Sequence, residues 1–290
     1  MLNPADFKLA LKSIDTLGAT PAVLVKVIKL ANDPNSDLSS IGALLRNDGP
    51  LVADIIRISN SSYYSPATPH SNLNSALNQL GLKEIIRMVN LSLGRQLFAR
   101  NLNSYGTTAF DYWSASVATA LVMEALAKKI RLNTEDAYTV GILHALGRVI
   151  IDRIIEEKGM SNSWDLQQPI EEWERNVVGF DFAEAGALLL EHWHFPDSMC
   201  EIIRNQLILV SEADKGSLLS ALQFSRRLLT LTGLDFGKDQ WQIPPNDPFL
   251  IATGINPETI SELVTSCQED YCNLLQEVNL TSWESAISAW

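Results

Sequence analysis

Apolar residues recur along this chain at helical spacing, three or four apart, and nowhere alternate in the way a half-buried strand requires. Thr20 before Pro21 reads as an N-cap followed by proline at the first helical position. Ala22, Val23, Val27 and Leu30 then carry an apolar stripe to Asn32-Asp33-Pro34. Asp37 precedes Leu38, Ile41, Leu44 and Leu45, and Asp48-Gly49-Pro50 opens a helix bearing Leu51, Ile55 and Ile58. The stretch from Asn60 to Ser71 is turn chemistry without periodicity, so an irregular surface loop is expected there. Helices resume near Ser75 and again after Gly81, where Leu82, Ile85, Ile86, Val89 and Leu93 mark one face, and Asn101 to Gly106 reads as a break. Tyr112 to Lys129 and Thr134 to Glu156 are the two longest periodic segments, predicted to pair as an antiparallel hairpin with Asn133 capping the second. Shorter helices are predicted over 169–178, 182–192, 196–209, 215–231 and 257–276. The pattern implies an all-α fold, a multi-helix bundle with no internal repeat.

Composition sharpens this picture in three ways. At 290 residues, with 46% apolar and 19% charged positions, the chain can fill a large core, and with no long Gly/Pro/Ser tract or charge block it is expected to be ordered nearly throughout. A formal charge of −12 repels phosphate backbones, so nucleic acid is not the expected partner unless a local basic patch overcomes it. The start Met1-Leu2-Asn3-Pro4 lacks a secretory pattern, and no apolar run is long enough for a membrane span, so a cytoplasmic protein without membrane contact is expected. Three cysteines, Cys200, Cys267 and Cys272, show no pairing or Cys-x-x-Cys spacing and fit buried thiols.

Signatures for nucleotide binding, serine esterases and zinc proteases are absent. His192 and His194 would lie about 200° apart on a helix, unsuited to one metal, so a helix end with a packed Trp193 is expected. The informative segment runs from Gly141 to Asp152. Its helix is apolar nearly all round, yet His144, Arg148 and Asp152 fall at i, i+4 and i+8 on one stripe. Buried charge needs partners. Either His144 is a hydrogen-bonded core residue with Arg148 paired to Asp152, or the stripe faces a ligand. Tyr63 and Tyr64 in the irregular loop, and Trp241-Gln242-Ile243-Pro244-Pro245, are either partner contacts or anchors that pin their segments to the protein's own surface.

Several segments in fixed order resemble the HDOD family, relatives of HD phosphohydrolases in bacterial regulation. They are Leu17-Gly18-Ala19-Thr20-Pro21, Asn32-Asp33-Pro34, Ile56 to Tyr64, Leu77-Asn78-Gln79-Leu80-Gly81-Leu82, Gly141 to Arg148 and Gly186 to Trp193. In catalytic HD proteins the resemblance would imply a His near Trp113, a His-Asp pair on the next long helix, and further His or Asp ligands downstream. Ala115 stands at the first of these positions, His144-Ala145 replaces His-Asp, Phe182 occupies a third, and Asn205-Gln206 replaces a His-rich pair. One imidazole cannot close a metal site that activates water.

The expectation is a non-catalytic signalling or regulatory interaction module with no cofactor, no metal and no catalytic residues. Its partners would be signalling proteins acting in trans, with a small regulatory ligand as a further option, and its binding candidates are His144, Arg148, Asp152, Tyr63 and Tyr64. Residues 1–105 would form an N-terminal helical lobe, 106–212 a degenerate HD-like core and 213–290 a C-terminal helical extension. Two rivals stand. A residual metal-dependent phosphohydrolase would recruit Asp111, Glu174, Asp181 or Glu184 around His144. A nucleic-acid regulator would use Lys83, Arg87, Arg95 and Arg100, charges that otherwise read as a solvated helix face.

Overall fold

The computed structural model describes residues 20–31, 37–46, 49–60, 64, 68–97, 100–161, 163–165, 167–210, 214, 216–232 and 247–277. Among them the chain is helical with no strand; the one β-type feature is an isolated bridge between Leu102 and Thr107. It divides into two compact units, Leu17–Gln96 and Leu97–Tyr271. Tyr63 and the Trp241–Pro245 segment lie outside the described residues, as does Leu17 to Ala19.

The first unit is built from α1 (Thr20–Ala31), α2 (Leu38–Leu45), α3 (Gly49–Ser59) and most of α4 (Leu73–Leu97). Asp37 caps α2, its carboxylate accepting from the Ser40 amide at 2.8 Å. Of the stripes expected from sequence, Val27, Ile41, Leu45, Leu51, Ile55, Ile58, Ile85 and Val89 are buried, while Leu30, Leu38, Leu44 and Leu82 are half-buried. Gly81 interrupts α4 with φ 77 and ψ 171, a conformation that Cβ-bearing residues avoid, which accounts for the change of helical face at that point. The 60–71 loop is closed by Asn60, whose side chain brackets the His70 backbone, donating to its carbonyl at 2.9 Å and accepting from its amide at 2.6 Å.

In the second unit a 3₁₀ turn (Asn103–Tyr105) precedes α5 (Ala109–Ile130), which is followed by α6 (Thr134–Leu143) and α7 (Gly147–Glu157). Then come α8 (Ile170–Val178), α9 (Phe182–His192), α10 (Asp197–Asn205), α11 (Leu218–Thr232), α12 (Pro248–Thr253) and most of α13 (Pro257–Glu277). Helix α5 is buried along most of its length and packs on α6, the hairpin expected from the two long periodic segments. Arg131 ends α5 in the left-handed conformation and Asn133 caps α6, accepting from the Asp136 amide at 2.9 Å. The two helices touch at their backbones: a Cβ on Gly141 would lie 2.5 Å from the Ala120 Cα.

The single helix expected over 134–156 is in fact two, α6 and α7, joined by a tight turn at His144-Ala145-Leu146. Around this turn Leu146, Arg148 and Val149 donate to carbonyls three residues back, not four. Two distant side chains also donate to carbonyls of this turn. The Tyr112 hydroxyl donates to the Ala145 carbonyl, and Gln206 Nε2 donates to the His144 carbonyl at 2.8 Å. Side chains inserted into the ladder are a recognised cause of helix breaks.

Candidate functional site

The turn between α6 and α7 gathers the residues that the sequence marks as informative. His144, 6% exposed, holds its ring by Nδ1, which donates to the Gly141 carbonyl at 2.8 Å. That bond assigns the proton to Nδ1 and leaves the lone pair on Nε2. Burial first, then the Arg226 and Arg148 guanidiniums, push its proton affinity down to about 3, so the imidazole is neutral near pH 7. His144 is thus buried and hydrogen-bonded within its own turn.

Arg148 does not pair with Asp152. Its guanidinium turns to Glu174 on α8, Nε lying 3.8 Å from Oε1, with the two side chains 2% and 0% exposed. It also stacks over the Phe182 ring at 4.3 Å from the centroid, with the Tyr105 ring at 6.0 Å. Glu174 is held from two further sides: the Tyr105 hydroxyl donates to Oε1 at 2.9 Å and the Phe182 amide to Oε2 at 2.7 Å. Burial pushes its carboxyl up to about 8, while Arg148, the Phe182 amide and the Tyr105 hydroxyl pull the other way. Burial and then Glu174 raise the Tyr105 hydroxyl, which keeps its proton and donates. Asp152 instead accepts from the Ser104 amide at 2.9 Å, tying α7 to the 3₁₀ turn. The stripe fails as a local pair because α7 begins at Gly147, and its first turn is pressed against α9. A Cβ on Gly147 would lie 2.0 Å from the Phe182 carbonyl oxygen and 2.5 Å from the Gly186 nitrogen.

The positions where resemblance would place metal ligands are thus filled by other contacts. Phe182 is the platform for Arg148, Gln206 spends its amide N–H groups on the His144 and Ile203 carbonyls, and Ala115 and Ala145 are buried. The alternative ligands are dispersed among structural tasks. Asp111 caps α5 with Thr108, Asp181 caps α9 and pairs with Arg175 at 2.7 Å, Glu184 is exposed, and Glu174 belongs to the buried pair. Among the described residues no group of three His, Cys, Asp or Glu side chains is arranged to hold a metal ion. Helix α9 ends at His192, and His194 adopts a left-handed conformation with φ 60.

Arg87 is buried and Lys83 exposed within the first unit, while Arg100 in the second unit pairs with Glu156 at 2.9 Å; the Arg95 side chain lies outside the described residues. Tyr64, half-buried, donates its hydroxyl to Glu84 at 2.7 Å within its own unit. No described helix is long and apolar enough to cross a membrane. Sequence reasoning missed Tyr105, Tyr112 and Arg226 and treated Glu174 only as a metal ligand. A signal for Glu174 was present: it stands four residues after Ile170 on the apolar side of a short amphipathic helix, where an acid needs a buried partner.

Comparison with known proteins gives this geometry its lineage. A Treponema pallidum (strain Nichols) protein of uncharacterized role is 25% identical over 239 residues, 80% of this chain and 45% of that protein, so the chain spans less than half of its relative's length. A candidate phosphohydrolase of Shewanella amazonensis SB2B has the same fold with a TM-score of 0.64 at 20% identity, over 92% of this chain and 97% of that one. A candidate signal transduction protein of Marinobacter aquaeolei VT8 matches with a TM-score of 0.69 at 20% identity, over 98% of this chain and 65% of the other. These likenesses establish an HD-like helical fold. The HDOD domain family matches residues 17–208, most of the chain, and to that family this protein belongs.

Proposed function

We propose that this chain is a non-catalytic regulatory module that acts by binding signalling proteins, its hydrolytic centre having been rebuilt as a packed structural cluster. One observation carries this reading: the Arg148 guanidinium lies on the Phe182 ring, at a position where resemblance to HD hydrolases would place a metal ligand. A guanidinium keeps its charge at any working pH. A divalent cation brought beside it would be repelled, and in a poorly screened interior that repulsion is far stronger than in water. Phe182 and Ala115 offer no lone pairs for a metal, and the Gln206 N–H groups are committed to the His144 and Ile203 carbonyls. The likeness to a candidate signal transduction protein agrees with a regulatory role.

Partner binding then falls to the surface. The Tyr64 loop remains a candidate contact, since an aromatic at an interface centre can contribute about 2 kcal/mol or more. The test is a phosphoester panel, from a nitrophenyl ester to cyclic dinucleotides, incubated with the full chain and Mn, Fe, Ni or Zn. The expected result is no turnover above the metal-only blank. Turnover that disappears in His144→Ala would overturn the proposal and favour the phosphohydrolase reading, which rests on the retained His144 and the likeness to the Shewanella protein.

A further inference from the structure

Among the described residues three large apolar side chains stand in solvent: Ile208, Leu209 and Ile251, at 61%, 95% and 69% of full exposure. Single exposed hydrophobics scattered over a surface are ordinary. These three all belong to segments that pack on one helix of the second unit, α11. Ile208 and Leu209 follow α10, and the Ile208 carbonyl accepts from the Gln223 side chain on α11. Ile251 lies on α12, whose Phe249 ring stacks on Phe224, the residue after Gln223, with centroids 4.6 Å apart. The turn leading into α11 also meets the end of α12, since a Cβ on Gly216 would lie 3.9 Å from Thr253 Cγ2. The fold holds α12 in this orientation. Asp247 pairs with Arg227 of α11 at 2.6 Å and accepts from the Phe249 amide at 2.8 Å, so Phe249 and Leu250 are buried while Ile251 is left outside.

Charge decides what suits this corner. The chain carries −12 overall, yet residues 205–210 and 248–256 contain no charged side chain. The charges that border them, Arg204 and Asp247, are paired within the chain, with Glu191 and Arg227. A partner selected by its charge finds nothing to read there. Two copies of an acidic chain repel each other, and the repulsion is least where neither presents a charge. A two-fold contact sets the same patch against itself, and an uncharged apolar patch is complementary to its own copy. With half-buried Leu207, Val210 and Ile255 at its edges, the patch is on the order of several hundred Å², enough for the apolar centre of an interface that buries about 800 Å² on each side.

We propose that Ile208, Leu209 and Ile251 form the centre of a two-fold interface through which two copies of this chain associate. Helices α11 and α12 lie beyond the residues matched by the family, so this contact is built by the chain's own extension. It uses none of the His144 cluster and stands independently of the non-catalytic reading.

The test is sedimentation equilibrium of the full chain across the micromolar range, at low and high salt. The unaltered chain is expected to be a dimer. Leu209→Glu and Ile251→Glu should each weaken it by about 30-fold or more, because a residue at an interface centre carries a large share of the affinity and each change enters a two-fold contact twice. Both side chains are exposed in the single copy, so the fold tolerates the change. Leu209→Ser or Ile251→Ser replaces any glutamate variant that loses its helical circular dichroism. Added salt should leave the dimer unchanged or strengthen it, since salt screens the repulsion between acidic copies. A chain that is monomeric at every concentration would overturn the proposal and give the patch to a different protein. Unchanged affinity in either folded variant, or a dimer that dissociates on adding salt, would overturn it by placing the contact on another face.

Discussion

Deleting the Glu174 carboxylate perturbs the buried cluster at its most connected point. In Glu174→Ala the Arg148 guanidinium, 2% exposed, loses the carboxylate 3.8 Å from its Nε. The Tyr105 hydroxyl and the Phe182 amide lose acceptors at 2.9 and 2.7 Å. Above pH 8, where the Glu174 carboxyl is ionised, breaking this buried ion pair from one side costs about 3–5 kcal/mol, since the surviving charge stays buried without its counter-charge. A stranded neutral donor adds about 1–3 kcal/mol. These costs overlap, because the same local relaxation relieves all of them, and a loss of about 4–6 kcal/mol is expected. Against a typical domain stability of about 5–15 kcal/mol that is a large share. Glu174→Gln should cost less, about 2–3 kcal/mol, because the amide keeps one acceptor for the Phe182 N–H while the Tyr105 hydroxyl turns to accept from the amide NH₂. Urea unfolding of the full chain at pH 9, where a carboxyl raised to about 8 is ionised, followed by helical circular dichroism, gives the midpoints and slopes that rank the variants. A Glu174→Ala protein within about 1 kcal/mol of the parent would refute the cluster as a stability determinant, a loss that small being typical of exposed ion pairs.

The pH dependence of stability should show two opposite contributions. Glu174 is raised to about 8 in the fold, so its contribution is full below its ordinary 4.5 and is lost as pH climbs through 8; Glu174→Gln should flatten that limb in a series of urea midpoints. His144 is lowered from 6.5 to about 3, so its contribution is present above 6.5 and is lost as pH falls toward 3; His144→Gln should flatten the acid limb. Gly147→Ala drives a Cβ to 2.0 Å from the Phe182 carbonyl, a backbone atom that cannot swing aside, and should cost about 3 kcal/mol or more by thermal unfolding. Tyr64→Ala with unchanged helicity should reduce capture of a binding partner more than Lys83→Ala in pull-downs at fixed salt; the opposite order would assign Tyr64 to loop anchoring through Glu84.

Local chemistry was legible in the sequence, and long-range chemistry was not. Caps at Asp37 and Asn133 and the break at Gly81 arise from interactions within a few residues, and each was visible as a residue type at a position. The α5–α6 hairpin followed from two long periodic stretches with a short link. The helix break at His144-Ala145-Leu146 had no local sign, neither proline nor an exposed glycine turn. It is stabilised by Tyr112 and Gln206, which lie far away in the chain. For the same reason Asp152 looked like the partner of Arg148: the i, i+4 rule was followed within one helix, whereas the true partner Glu174 is brought in by the packing of α8 on α7. His144 was legible as a buried polar residue, but its tautomer and depressed proton affinity needed the Gly141 carbonyl and the guanidiniums of Arg148 and Arg226.

The most direct test of the non-catalytic claim is manganese binding, because Mn(II) free in solution gives an electron paramagnetic resonance signal that is lost on coordination. Chelator-stripped full chain is titrated with Mn(II) at pH 7.5, and the free-ion signal is compared with a protein-free blank. With the Arg148 guanidinium on Phe182, the expected result is a signal that tracks the blank through the first equivalent. Loss of about one equivalent of signal per chain, restored by His144→Ala, would reveal a metal centre built on the one retained histidine and contradict the claim.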